Sequence, residues 1–225
     1  WVGLSNAEQP NAKYQIVDHV QHSEEFREQY RIAQQAFSQD EASKFNEVMT
    51  WMMENKASLS PTEKSSALQL KAYHHIARDE YQQALDIFDD MLRNGSVMTK
   101  VNYEKVLDTA GSIAMSLEKY QQAVGYFSEL MESSGGPISQ TKVIRLAASY
   151  FNMKEFELAL NTLSKAKSEL EEGVNPSENW LKLEMAANYE LGQLAQAQLV
   201  AADIARLYPS ERNQRILKEF SQLTE

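Results

Sequence analysis

Apolar residues recur along this chain at three- and four-residue intervals between clusters of turn residues, the mark of amphipathic helices about 3.6 residues to the turn. Alternation with a period of two, bounded by turn residues, is not evident, so no strands are expected. Gly and Pro punctuate the periodic stretches at Asn94-Gly95, Gly135-Gly136-Pro137, Gly173 through Pro176, and Pro209. Ser60-Pro61-Thr62-Glu63 reads as a helix start: a capping hydroxyl, a proline in the first turn, and a carboxylate three residues after the cap. Asn175-Pro176-Ser177-Glu178 suggests the same device with Asn175 as the cap, and Gly95 and Gly173 are placed to stop the helices before them. The pattern predicts an all-α chain.

Residues 79–88, DEYQQALDIF, and 118–127, EKYQQAVGYF, repeat one frame. Aligned on its alanine, the frame recurs at Ala84, Ala123, Ala159 and Ala197, separated by 39, 36 and 38 residues. Three residues before each alanine stands Tyr81, Tyr120, Phe156 or Leu194, and four after stands Phe88, Phe127, Leu163 or Ala201. Twelve before stands Ala72, Gly111, Ala147 or Met185. Small residues facing each other on two helices let the backbones approach closely, while the flanking aromatics fill the space between neighbouring units.

These offsets resemble the tetratricopeptide repeat, a helix–turn–helix unit with the pattern W-x2-L-G-x2-Y…A-x3-F…P. The resemblance implies a right-handed solenoid of antiparallel helix pairs. Lys71, His75 and Glu184 depart from it, standing where Leu, Tyr and Leu are expected. Trp180 and Leu183 indicate a first helix rotated by about one residue in the last copy. A degenerate pair near 24–38 and 42–55 precedes the clear copies. Its apolar run Trp51-Met52-Met53 is read as core, with an adaptable partner surface as the alternative. Residues 1–21 are therefore expected to form a poorly ordered N-terminal segment. Residues 22–225 are expected to form one solenoid domain of about five pairs with a C-terminal capping helix. The final segment is shorter than a whole repeat, which suggests truncation or a single cap.

Composition narrows the chemistry. A net charge of −10 disfavours nucleic acid and anionic membrane surfaces, and cysteine is absent, which removes disulfides and thiolate metal sites. Nucleotide-binding and hydrolase motifs are missing, so an enzyme is not expected. His74 and His75 are adjacent on a helix and point about 100° apart, too far for one ion. His19 and His22 are better spaced but lack a third ligand. Acidic pairs such as Asp89-Asp90 and Glu171-Glu172 read as solvated faces. No cofactor or metal is expected.

Stacked units present an extended surface lined by their first helices. Counting from the aligned residues places Gln69, Tyr73 and Ile76 on that surface in the first clear copy, and Asp108, Ser112 and Met115 in the second. Ile144, Ala148, Phe151 and Asn152 follow in the third, and Lys182, Ala186 and Tyr189 in the fourth. Aromatic anchors among hydrogen-bonding groups suit a peptide or partner helix. The Lys/Asn/Arg array with which chaperone-associated repeats clamp an acidic C-terminus is not matched, because Asp108 stands where a neutral or basic group is needed.

The stretch from Glu178-Asn179-Trp180-Leu181 through Asn188-Tyr189-Glu190-Leu191-Gly192 to Arg206-Leu207-Tyr208-Pro209 is similar to bacterial tetratricopeptide proteins described as components of the TonB system. That resemblance implies a periplasmic protein of a Gram-negative bacterium, working with the TonB–ExbB–ExbD machinery of iron-complex uptake. On this reading a leader is expected ahead of Trp1. The competing readings are a self-associating scaffold or assembly factor of another envelope complex and, as a third, an enzyme or a small-ligand sensor. Monomer and weak dimer both remain open.

Overall fold

The computed structural model describes residues 15–55, 57–94, 96–133 and 139–223. Eleven helices and two short strands are found among them. The helices are α1 (Glu24–Ser38), α2 (Ala42–Glu54), α3 (Pro61–Ala77), α4 (Tyr81–Arg93), α5 (Lys100–Ser116), α6 (Tyr120–Ser133), α7 (Gln140–Asn152), α8 (Phe156–Lys167), α9 (Glu178–Glu190), α10 (Leu194–Leu207) and α11 (Glu211–Leu223). Strand β1 (Gln15–Val17) lies parallel to β2 (Val97–Thr99). The fold is built of paired antiparallel helices of tetratricopeptide-repeat type.

Contacts divide the chain into two compact units, Trp1–Ile113 and Ala114–Glu225, with the division inside α5. In the first unit α1 pairs with α2 and α3 with α4. Its core joins Phe26, Ala33, Phe45, Val48, Met52 and Leu70. Trp51 and Met53 lie half-buried against that core, so the Met-rich run serves packing. In the second unit α6 packs on α7, α7 pairs with α8, α9 with α10, and α11 lies on α10. One cluster joins Val143, Ala147, Ala159, Leu163 and Trp180, and another joins Leu181, Val200 and Ile204.

The repeat frame is a packing frame. Ala84, Ala123, Ala159 and Ala197 are all fully buried, as are Ala72 and Ala147 twelve residues before two of them. In the degenerate first pair Phe45 occupies the place of the alanine, and the ring of His74 stacks on it with centroids 4.0 Å apart. The last pair shows the rotated first helix. Trp180, Leu181, Ala187 and Asn188 are buried, and Asn188 satisfies its amide locally by donating to the Glu184 carbonyl at 2.8 Å.

Each pair turns by the same backbone device. The residue two positions before each second helix takes positive φ: Asp40 (56°), Asp79 (59°), Glu118 (57°), Lys154 (63°) and Gly192 (70°). The following N–H reaches back five residues, from Glu41 to Ala36, Glu80 to His75, Lys119 to Ala114, Glu155 to Tyr150 and Gln193 to Asn188, at 2.8–3.0 Å. This left-handed closure satisfies carbonyls that a helix end otherwise leaves bare. Glycine would be the unstrained choice, and only the last pair uses it.

Four expectations change. Gly173 (φ 82°) turns the α8–α9 loop well past the end of α8, whose cap is Ser168, so it stops no helix. Ser177, not Asn175, is the cap of α9. Asn175 instead offers its carbonyl to the Gln140 side chain at 3.0 Å. The two strands depart from the all-helical pattern, because three residues are too few to display a period. Finally, Gln15–Val17 forms one of them, within the stretch expected to lack order. Gly95 and Gly135-Gly136-Pro137 lie outside the described residues.

Candidate functional site

The sites named from sequence fall on the first helix of each pair, at i, i+4 and i+7 spacing that keeps them on one stripe. Gln69, Tyr73 and Ile76 lie on α3, and Asp108, Ser112 and Met115 on α5. Ile144, Ala148, Phe151 and Asn152 lie on α7, and Lys182, Ala186 and Tyr189 on α9. All thirteen are at least partly open to solvent, Tyr189 among the most, whereas Leu70, Ala72, Val143, Ala147, Leu181 and Ala187 on the same helices are buried.

In the first unit Tyr73 is the organising side chain. Its ring meets Phe88 edge-on at 5.9 Å, and the Lys105 ammonium sits 5.3 Å from the ring centroid. That is cation–π distance and joins α3 to α5. The phenol oxygen is buried without a hydrogen-bond partner among the described residues. Burial, with Tyr73 as a second influence, raises the pKa of Tyr30. Ser112 donates its hydroxyl proton to the Asp108 carbonyl of its own helix at 2.8 Å. Lys105 is not among the sequence candidates, although it lies about one turn before Asp108 on the same helix.

The second unit repeats the theme. The hydroxyl of buried Ser149 lies 2.9 Å from the Arg145 carbonyl and 3.1 Å from the Met115 sulfur, so its single proton has both as acceptors and the thioether packs against it. Phe151 meets Phe156 edge-on at 5.1 Å, and Tyr189 meets Phe220 of α11 at 5.9 Å. Asn152 donates to the Ala148 carbonyl at 2.8 Å, and Lys182 pairs with Glu178 at 2.7 Å. Hydrogen bonds from Lys182 and Asn213 hold the Glu178 carboxyl below its ordinary range. Several polar groups on the stripes are thus bonded within the chain, and Met115, Ile144, Phe151 and Tyr189 are the larger apolar side chains on them in this unit. Ala148 and Ala186 leave room beside them.

The residues that break the repeat consensus take local partners. His75 Nδ1 lies 2.6 Å from Glu80 Oε2 across the α3–α4 turn, and that bond lowers the Glu80 pKa. Glu184 is half-buried, and its carboxyl lies 3.7 Å from the Lys167 ammonium; burial raises its pKa despite that cation. Lys71 borders an open depression with Asn46, Met49, Met53 and Glu54. His22 lies 3.0 Å from the Ser66 hydroxyl, and burial lowers its pKa as it does that of His74. Among the described residues no group of three His, Cys, Asp or Glu is placed to hold a metal ion, and no helix is long and apolar enough to cross a membrane.

No protein-family model and no curated protein matches the chain. Solved structures do. YrrB, described as a TPR protein with an unusual peptide-binding site, superposes with a TM-score of 0.64 at 14% identity, over 85% of this chain and 90% of that one. A MamA fragment from Desulfovibrio magneticus RS-1 gives 0.61 at 14%, over 85% and 99%. PilF of Pseudomonas aeruginosa gives 0.51 at 14%, over 88% and 81%. At these identities the likeness establishes a shared fold, that of tetratricopeptide repeats.

Proposed function

We propose that this chain is a non-catalytic scaffold that holds a segment of a partner protein on the stripes of its first helices. The carrying observation is the contrast along α9. Trp180 is 0% exposed and packs the repeat, whereas Tyr189, nine residues on, is 49% exposed and meets the ring of Phe220 edge-on. A large aromatic half in water beside small Ala186 is what a contact anchor requires. The peptide-binding description of YrrB supports the same class of ligand.

The finer reading follows from the Glu178–Pro209 resemblance. The partner is a component of the TonB–ExbB–ExbD system, met in the periplasm. The test is site-specific photocrosslinking in cells from Met115, Phe151 and Tyr189, with mass spectrometry of the adducts. TonB-system proteins captured from all three support the reading; other envelope proteins keep the scaffold and discard the pathway. Equal capture from an outward position such as Lys165 overturns the stripe.

A second reading, assembly through copies of this chain, is favoured by Leu199 on α10 and Leu223 on α11, which are 62% and 55% exposed. Light scattering across micromolar concentrations separates the two, since a strictly monomeric chain removes the second.

A further inference from the structure

The α4–α5 link contains a site built for an added strand. Ser96, Val97 and Met98 are buried, and Val97 N–H donates to the Ser65 hydroxyl of α3 at 3.0 Å. The link is covered by β1, in the register Gln15↔Val97, Ile16↔Met98, Val17↔Thr99, with Gln15 N–H donating to the Ser96 carbonyl at 2.9 Å. The two sides are unequal. The acceptor is buried and carries main-chain groups that need partners, because an open strand edge is a template for pairing. The donor is three residues long, with Gln15 exposed and Ile16 42% exposed, so little apolar surface holds it. A two-stranded ladder of this size is marginal in water.

The strand is tethered a short distance away. Gln21 accepts from Thr62 at 3.1 Å, His22 meets Ser66 at 3.0 Å, and Ser23 bonds Glu63 at 2.7 Å, so the chain is pinned to α3 from Gln21 onward. Only Asp18, His19 and Val20 separate that anchor from β1. A weakly held strand on a short hinge, over an acceptor that must stay covered, is the arrangement in which identical elements exchange between copies.

We propose that Ser96–Thr99 is a strand-acceptor site whose occupant in the assembled protein is Gln15–Val17 of a second copy, the pairing within one chain being the closed monomeric form. An exchanged strand in the same register makes the same bonds, so the exchange loses no contact; its cost is the lost freedom of two associating chains, which rising protein concentration offsets. This reading stands apart from the stripe-binding one, and neither depends on the other.

The native chain has no cysteine, so engineered thiols report cleanly. Val17→Cys and Thr99→Cys are introduced singly into two samples of the full chain, which are mixed, warmed to allow opening, cooled and gently oxidised. The expected result is a heterodimer, with a disulfide joining position 17 of one chain to position 99 of the other, in about tenfold excess over either homodimer. Adding Gln15→Pro to the donor removes the N–H that bonds Ser96, and should lower that yield by about tenfold. Because Thr99 also accepts from Asn102 N–H at 3.3 Å, the unmodified chain is followed in parallel by light scattering after the same annealing. A dimer that Gln15→Pro abolishes supports the exchange. A chain that stays monomeric, or heterodimers no more abundant than homodimers, overturns it.

Discussion

Glu63 of α3 and Ser23, the cap of α1, are joined by two hydrogen bonds to one oxygen. Glu63 Oε1 accepts from the Ser23 backbone N–H and from its hydroxyl, each at 2.7 Å. The other oxygen accepts from Ser60 N–H at 2.8 Å, completing the capping box of α3. One carboxylate therefore anchors two helix starts, and it does so from a nearly fully buried position.

Glu63→Gln should lower stability by about 1–3 kcal/mol, because the amide must aim an N–H at one of these donors. Thermal unfolding is the measurement, and Ser60→Ala should cost less, near the ~1 kcal/mol of an ordinary cap.

The same carboxylate sets an acid limit. Burial opposes its charge, but the hydrogen bonds from Ser23 and Ser60 win, and its pKa falls to about 2. A carboxyl lowered on folding contributes stability that is complete above the unfolded carboxylate range and lost as pH falls toward the folded value. Wild-type stability should therefore decline between roughly pH 5 and pH 2, and the gap between wild type and Glu63→Gln should close over that interval. A pH-independent gap in denaturant titrations would refute the assignment.

The five helix turns predict changes of opposite sign. Lys154 holds φ 63° with a side chain, which costs about 1–2 kcal/mol, offset in part by the ~0.5–1 kcal/mol of extra chain freedom that glycine carries. Lys154→Gly should leave stability unchanged or raise it by up to about 1 kcal/mol. Gly192→Ala should lower it by about 1–2 kcal/mol, although nothing lies within 4 Å of the added methyl, because the cost is conformational alone. Paired melting curves of the two variants check the contrast.

Packing and contact residues should separate on α9. Trp180→Ala should cost about 3–5 kcal/mol, as for any large buried side chain. Tyr189→Ala should change thermal stability by less than about 1 kcal/mol and reduce capture of the partner. Similarly, Ala123→Leu on α6 should cost roughly 1–3 kcal/mol by overpacking a fully buried position. An unchanged melting temperature for Ala123→Leu would mean the helices do not approach closely there.

The helix pairs were legible because a close helix–helix contact needs a small residue at a set interval from a large one, and Ala84, Ala123, Ala159 and Ala197 display it in the letters themselves. The stripes were legible as positions, since i, i+4 and i+7 share a face of any helix. Their state was not. That Ser112 and Asn152 each donate to a carbonyl of their own helix, and that Lys105 lies over Tyr73, depends on rotamers and on which helices meet. The left-handed turns showed in sequence only at Gly192, because Asp40, Asp79, Glu118 and Lys154 accept the same φ without the residue type that advertises it.

What the sequence determined by itself is therefore the periodic part: helices, their pairing and the small-residue contact between partners, all set by chain geometry within about forty residues. Tertiary structure alone decided the pairing of Gln15–Val17 with Val97–Thr99 and the second use of Glu63 on Ser23. Three residues carry no readable period, and a carboxylate that caps its own helix gives no local sign of a further donor 40 residues away. Such bonds exist only where folding brings two distant backbones to the same buried place, where an unpaired N–H or C=O would be costly.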